Sequence, residues 1–207
     1  MATATVTKLT ETPQGDARVH LHRAADPRGA VVLGHGAGGG VEAPDLVAAT
    51  AAAQSAGFSV ALVEQPYRVA GKRSSPRPPQ LDEAWTVVID DLASHELKGL
   101  RLVAGGRSAG ARVACRTAEA TGAAAVLCLA FPLQPPARAG KAPGPSRLPE
   151  LDAVRVPMLI VQGENDRFGM PEPGPSREVV VVKGDHSLRS DREAVSIAVG
   201  RWLEKLD

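Results

Sequence analysis

The chain has 207 residues, 43% of them hydrophobic, enough to bury one substantial core, and a single domain spanning 1–207 is expected. Its 24 basic and 23 acidic side chains leave a formal net charge of +1, so there is no bulk electrostatic case for nucleic acid or a membrane surface as partner. The N-terminal MATATVTKLTE lacks an apolar stretch with a cleavage site, and no run reaches the roughly eighteen apolar residues that span a bilayer, so a cytoplasmic location is expected. Aromatic residues make up only 3%, so the core must be built from small side chains that favour close helix–sheet packing.

In chain order, apolar runs predict strands over 5–11, 17–24, 29–34, 59–64, 100–105, 124–131, 157–162 and 178–183. Helical patterns fall at 43–56, 80–97, 108–120 and 190–206, with a short turn near 148–154. This alternation predicts an α/β fold: a mostly parallel twisted sheet of about eight strands with helices on both faces. The first two strands carry the most polar alternation and should form an antiparallel edge. Leu81, Trp85, Val88 and Leu92 recur at helical spacing, which marks a face against the sheet and places Trp85 in the core. Ser190-Asp191-Arg192-Glu193 has a capping-box pattern and should open the last helix. Cys115 and Cys128, on a helix and in an apolar strand, read as buried thiols and not as a disulfide.

The most telling segment is LRLVAGGRSAGARVACRTAEA, in which a strand runs into Gly106-Arg107-Ser108-Ala109-Gly110 and then into an alanine-rich helix. This is G-x-S-x-G in the strand–turn–helix setting of a nucleophile elbow. A serine on so sharp a turn has a strained backbone, and its glycine neighbours must come too close to other backbone for a Cβ. A glycine-rich turn can carry a serine by chance, so the partners of that serine decide the reading.

They occur in the order Ser, acid, His. Downstream of Ser108 there is one histidine, His186 in KGDHSL, just beyond the apolar run REVVVV. Between the two, PMLIVQGENDRFG is a buried-strand pattern, and a carboxylate at its C-terminal end suits a group that holds the imidazole in one tautomer. Asp166 is the choice; Glu164 falls earlier in the turn, and Asp185 adjoins His186, where neighbouring side chains rarely face each other. Upstream, AVVLG opens into His35-Gly36-Ala37-Gly38-Gly39-Gly40, small residues that let backbone N–H groups approach an oxygen. The oxyanion donors are assigned to the N–H groups of Ala37, with Gly38 as fallback, and Ala109.

Two proline-rich segments, 71–79 and 132–147, leave strand C-termini, where open α/β sheets bind ligands. The second is too short and too rich in proline to build a helical cap, so an open site is expected. Arg68, Lys72, Arg73, Arg77, Arg138, Lys141 and Arg147 make these loops basic, either as a solvated rim or as a site for an anionic substrate group. Glu64, Tyr67 and Arg68, together with Gly38, are candidates for substrate contact. No ligand cluster or phosphate-cradling loop is visible, so no metal and no organic cofactor is expected.

The blocks GHGAGGG (34–40), VEQPYRVAGKRSSPRPP (63–79), GGRSAGARVA (105–114), FPLQPP (131–136), VQGENDRFG (161–169) and GDHSL (184–188) cover the chain from about 30 to 190. They resemble a small cap-less α/β-hydrolase of the dienelactone-hydrolase-like group, and within it the family of the testis-expressed hydrolase-like protein and subunit 3 of the NSL complex. The resemblance implies an α/β-hydrolase fold without a cap domain and a catalytic site at Ser108, Asp166 and His186. The expected function is a serine hydrolase cleaving small carboxylic esters or lactones through an acyl-enzyme. The alternatives are a non-catalytic protein-interaction module, as the family includes scaffolds, or an acyltransferase. A cap-less surface could also pair two copies into a homodimer.

Overall fold

A computed structural model describes residues 5–137 and 142–206. Eight strands lie in one sheet: β1 (Val6–Thr12), β2 (Gly15–His22), β3 (Gly29–Gly34), β4 (Phe58–Glu64), β5 (Leu102–Arg107), β6 (Ala125–Leu129), β7 (Met158–Gly163) and β8 (Arg177–Val182). Their spatial order is β1-β2-β4-β3-β5-β6-β7-β8. From β4 to β8 every neighbouring pair is parallel, whereas β1–β2 and β2–β4 are antiparallel. The polar alternation of the first two strands therefore does mark the antiparallel edge. The helices are α1 (Pro44–Ser55), α2 (Pro66–Val69), α3 (Pro78–Ser94), α4 (Ala109–Thr117), α5 (Leu148–Asp152) and α6 (Arg192–Glu204).

The sequences GAVVLG, AVLCL and MLIVQG are buried at every position, as strands covered on both faces require. Alternate residues of each strand serve different cores. Ala30, Val32, Ala104, Val126 and Ile160 join Trp85, Val88, Ile89 and Leu92 of α3 and Val113 of α4. Val31, Leu33, Val103, Leu127, Leu129 and Val161 join Leu46 of α1 and Val199, Trp202 and Leu203 of α6. Each large apolar side chain so buried contributes about 1.5–3 kcal/mol, so both layers are needed to hold the sheet.

Several boundaries differ from the sequence expectation. β2 spans Gly15–His22, two residues earlier than expected, because its register pairs Gly15 with Thr12 and His22 with Val60. The helix after the elbow begins at Ala109, leaving Ser108 outside it at the N-cap. The last helix is capped by Asp191, whose side chain accepts from the Ala194 N–H at 3.0 Å, and not by Ser190. The four-residue α2, opened by Pro66, was not anticipated, since one turn is too short to show a helical period.

β3 sits between β4 and β5, so the chain leaves it toward one edge first and the other afterwards. The C-terminal ends of β3 and β5 thus form the switch point where open α/β sheets place ligands. No cap covers this end among the described residues. Gln134 N–H donates to the Phe168 carbonyl at 2.7 Å, and Arg147 donates from its backbone to Leu133 at 2.8 Å and from its guanidinium to Pro132 at 2.8 Å. These bonds tie the described ends of the proline-rich segment, at Pro132 to Gln134 and at Arg147, down beside the site; Arg138 and Lys141 of the basic rim lie outside the described residues. Among the described residues no helix is long and apolar enough to cross a membrane.

Candidate active site

β5 ends at Arg107, and Ser108 turns the chain into α4 with φ 51° and ψ −105°. The turn is held by the Ser108 N–H, which donates to the Leu129 carbonyl at 2.9 Å. Both motif glycines are there for lack of room. A Cβ on Gly106 would collide with the Gly34 carbonyl oxygen and lie 2.8 Å from the Gly110 carbonyl carbon. One on Gly110 would collide with the same Gly34 peptide. The elbow is therefore pressed against the end of β3, where the glycine-rich loop begins. As the first residue of α4, Ala109 has no carbonyl one turn back, and its N–H is available to an external oxygen.

His186 Nε2 lies 2.9 Å from Ser108 Oγ, and its Nδ1 lies 2.8 Å from Asp166 Oδ2. A carboxylate at Nδ1 keeps the proton on that nitrogen and leaves Nε2 to face the serine as an acceptor. The Asp166 carboxylate is fully buried and well bonded: Oδ2 also accepts from Gln162 Nε2 at 2.9 Å, and Oδ1 from the Phe168 N–H at 2.9 Å. Gln162, buried in β7, reaches the carbonyls of Phe131 at 3.0 Å and Gly169 at 2.9 Å as well. Sequence reasoning overlooked it, although one amide inside an apolar strand was a visible signal. Gly163 is another close approach, since a Cβ there would collide with the Asp185 carbonyl in the histidine loop.

The rival acids are elsewhere. Glu164 is exposed, and Asp185 Oδ1 accepts from Ser187 N–H at 2.9 Å and its hydroxyl at 2.6 Å. Those bonds hold the Asp185 carboxyl below its ordinary pKa without bringing it to the imidazole. The Phe168 ring packs against His186 with centroids 4.4 Å apart and planes tilted by 49°, a contact no motif announced.

The loop after β3 is held by side chains. His35, buried, donates from Nδ1 to the Gly36 carbonyl at 2.8 Å and accepts at Nε2 from the Gln65 N–H at 3.0 Å. Burial lowers its pKa, which favours the neutral ring this pattern requires. Gly36 C=O and Ala37 N–H belong to one peptide, so this bond sets the direction of the Ala37 N–H. The next peptide is held by the Tyr67 hydroxyl, which donates to the Ala37 carbonyl at 2.9 Å. Tyr67 was a candidate for substrate contact; the structure engages its hydroxyl with the loop instead. Ala37 and Gly38 are exposed, and Arg68 is half-buried. Glu64 pairs with His20 at 2.5 Å and Arg18 at 3.5 Å, across the antiparallel pair β2–β4. Lys72, with Gln14, Gln65, Tyr67, Ser74 and Gln80, lines a cavity of about 170 Å³ beside this loop.

No curated protein matches the chain in sequence. Among solved structures, an α/β serine hydrolase homologue from Coxiella burnetii shares 16% identity over 98% of this chain and 99% of its own, with a TM-score of 0.77. A serine hydrolase without a lid from Xanthomonas campestris is 18% identical over 100% of this chain and 99% of its own, with a TM-score of 0.71. A dienelactone hydrolase from Anabaena variabilis is 15% identical over 96% of each chain, with a TM-score of 0.74. At such identities the likeness is one of fold. The alpha/beta hydrolase domain family matches residues 27–196, from just before β3 into α6, and the chain belongs to that family.

Proposed function

We propose that the protein is a serine hydrolase that cleaves small carboxylic esters or lactones through an acyl-enzyme, using Ser108, His186 and Asp166. One observation carries the reading: an unbroken hydrogen-bond chain from Ser108 Oγ through both nitrogens of His186 to a buried carboxylate. His186 Nε2 takes the hydroxyl proton as Ser108 Oγ attacks the ester carbonyl, and Asp166 stabilises the imidazolium. The N–H groups of Ala109 and Ala37 hold the oxyanion. The tetrahedral intermediate collapses as His186 returns the proton to the leaving alcohol. Water, deprotonated by the same nitrogen, then attacks the acyl-enzyme and frees Ser108 and a carboxylic acid.

The open, cap-less end of the sheet supports small substrates, since nothing there among the described residues would cover a long acyl chain. The sequence blocks support a place in the dienelactone-hydrolase-like group, near the testis-expressed and NSL subunit 3 family. The dienelactone hydrolase from Anabaena variabilis and the esterase domain of a Rhodothermus marinus protein among the fold neighbours agree with ester or lactone chemistry.

The test is labelling by a fluorophosphonate probe, followed by assays with short esters and lactones. Wild type should label rapidly, Ser108→Ala not at all, and His186→Ala more slowly by about a thousandfold or more. A folded wild type that resists the probe would overturn the catalytic reading. Labelling with acyl transfer only to an added amine or alcohol would overturn hydrolysis in favour of transferase activity.

A further inference from the structure

The residue before the nucleophile, Arg107, has a side chain the mechanism above does not use. Its Nε lies 2.9 Å from Asp45 Oδ2, and its Nη2 donates to the backbone carbonyl of His186 at 3.1 Å. Its Nη1 lies against the glycine loop, only 2.6 Å from where a Cβ on Gly36 would stand. That same Cβ position is 3.6 Å from the Cβ of Ser108, so the guanidinium lies beside the nucleophile. Asp45 is fully buried in the first turn of α1, and its Oδ1 also accepts from the Leu46 N–H at 3.0 Å. One planar group thus touches three segments that must be in register: α1, the loop carrying Ala37 and the loop carrying His186.

We propose that Arg107 is a positioning residue that, anchored on Asp45, fixes the backbone of His186 and the packing of Gly36 relative to Ser108. The inference rests on the hydrolase reading for its kinetic consequence, but its structural content stands apart from it. The choice of arginine follows from geometry. A buried carboxylate needs only a cation, and lysine would supply one. Pairing with Asp45 through Nε while another nitrogen donates to the His186 carbonyl calls for a rigid, planar fork. The partner matters as well, because Asp45 neutralises the guanidinium and removes a positive charge that would oppose an imidazolium on His186. Burial leaves the Asp45 carboxyl above its ordinary pKa, and Arg107 and the Leu46 N–H offset part of that rise.

Arg107→Lys in the full chain separates positioning from simple charge pairing. The variant should fold with nearly wild-type thermal stability. Its rate of fluorophosphonate inactivation at saturating probe should fall about 10- to 100-fold, the scale of a small misplacement of catalytic groups. Its apparent probe affinity should change less than about threefold. The downfield proton NMR signal of His186 Nδ1–H, identified by its loss in His186→Ala, should broaden or shift. If Arg107→Lys does not fold, the neutral pair Arg107→Gln with Asp45→Asn carries the same expectations, since glutamine cannot reach both partners. Wild-type inactivation with an unaltered His186 signal would overturn the proposal, as would loss of stability and probe affinity in proportion to the rate. An unlabelled wild type would overturn the hydrolase reading instead, and the His186 signal in the variant would still decide the role of Arg107.

Discussion

Ser108 occupies a left-handed backbone region that a β-carbon disfavours, and the structure keeps it there because both neighbours of the turn are fixed. Such a conformation costs about 1–3 kcal/mol, which the reactive geometry requires and folding alone does not. Ser108→Gly should therefore raise stability by about 1 kcal/mol, after allowing for the larger entropy of glycine in the unfolded chain. Urea unfolding of this variant beside Ser108→Ala checks it; equal stability of the two would mean that the strain is relieved elsewhere. At this scale Ser108, His186 and Asp166 were legible as residues, through a motif and an order along the chain. Gln162, Phe168 and Arg107 were not, because their parts depend on contacts such as Arg107 to His186, 79 positions apart.

Among the elements, β3 and α4 depend on each other more than on their own propensities. Gly110 is helical, and its substitution by alanine in an isolated helix would be favourable by up to about 1 kcal/mol. Here a Cβ would be driven into the Gly34 peptide, so Gly110→Ala should lose several kcal/mol or fail to fold, by about the scale of severe overpacking. Gly38→Ala, with nothing within 4 Å of the added carbon, should leave stability within about 0.5 kcal/mol of wild type. Thermal unfolding of the two variants makes the comparison; similar losses would show that the glycine loop packs differently from its geometry here. The long helices and the buried strands were legible from periodicity. The single turn of α2 was not, and neither was Asp191 as the cap of α6, where two adjacent polar residues compete and only the chain direction selects one.

For the whole molecule, the buried imidazole of His35 links stability to pH. In the unfolded chain it titrates near 6.5, whereas burial lowers its pKa in the folded protein. The unfolded state then binds more protons below that value, so the full contribution is present above pH 6.5 and is lost as the pH falls. The half-buried His22, also lowered, acts in the same sense. Urea unfolding at stepped pH should show a slope approaching about 1.4 kcal/mol per pH unit below this point, reduced in His35→Gln. A slope unchanged by that substitution would assign the effect to other groups.

The sequence by itself determined the alternation of strands and helices, the antiparallel edge and the elbow, because periodicity and turn chemistry act over a few residues. It also ordered Ser108, Asp166 and His186, since each follows the C-terminal end of a strand that local pattern could locate. Only the tertiary structure decided that Tyr67 holds Ala37 in place, that Gln162 supports Asp166 and that Arg107 joins Asp45 to the histidine loop. Those contacts arise where β3, β5 and β7 end at one edge of the sheet, and strand order is set by burial of two faces at once, which no local stretch of sequence encodes.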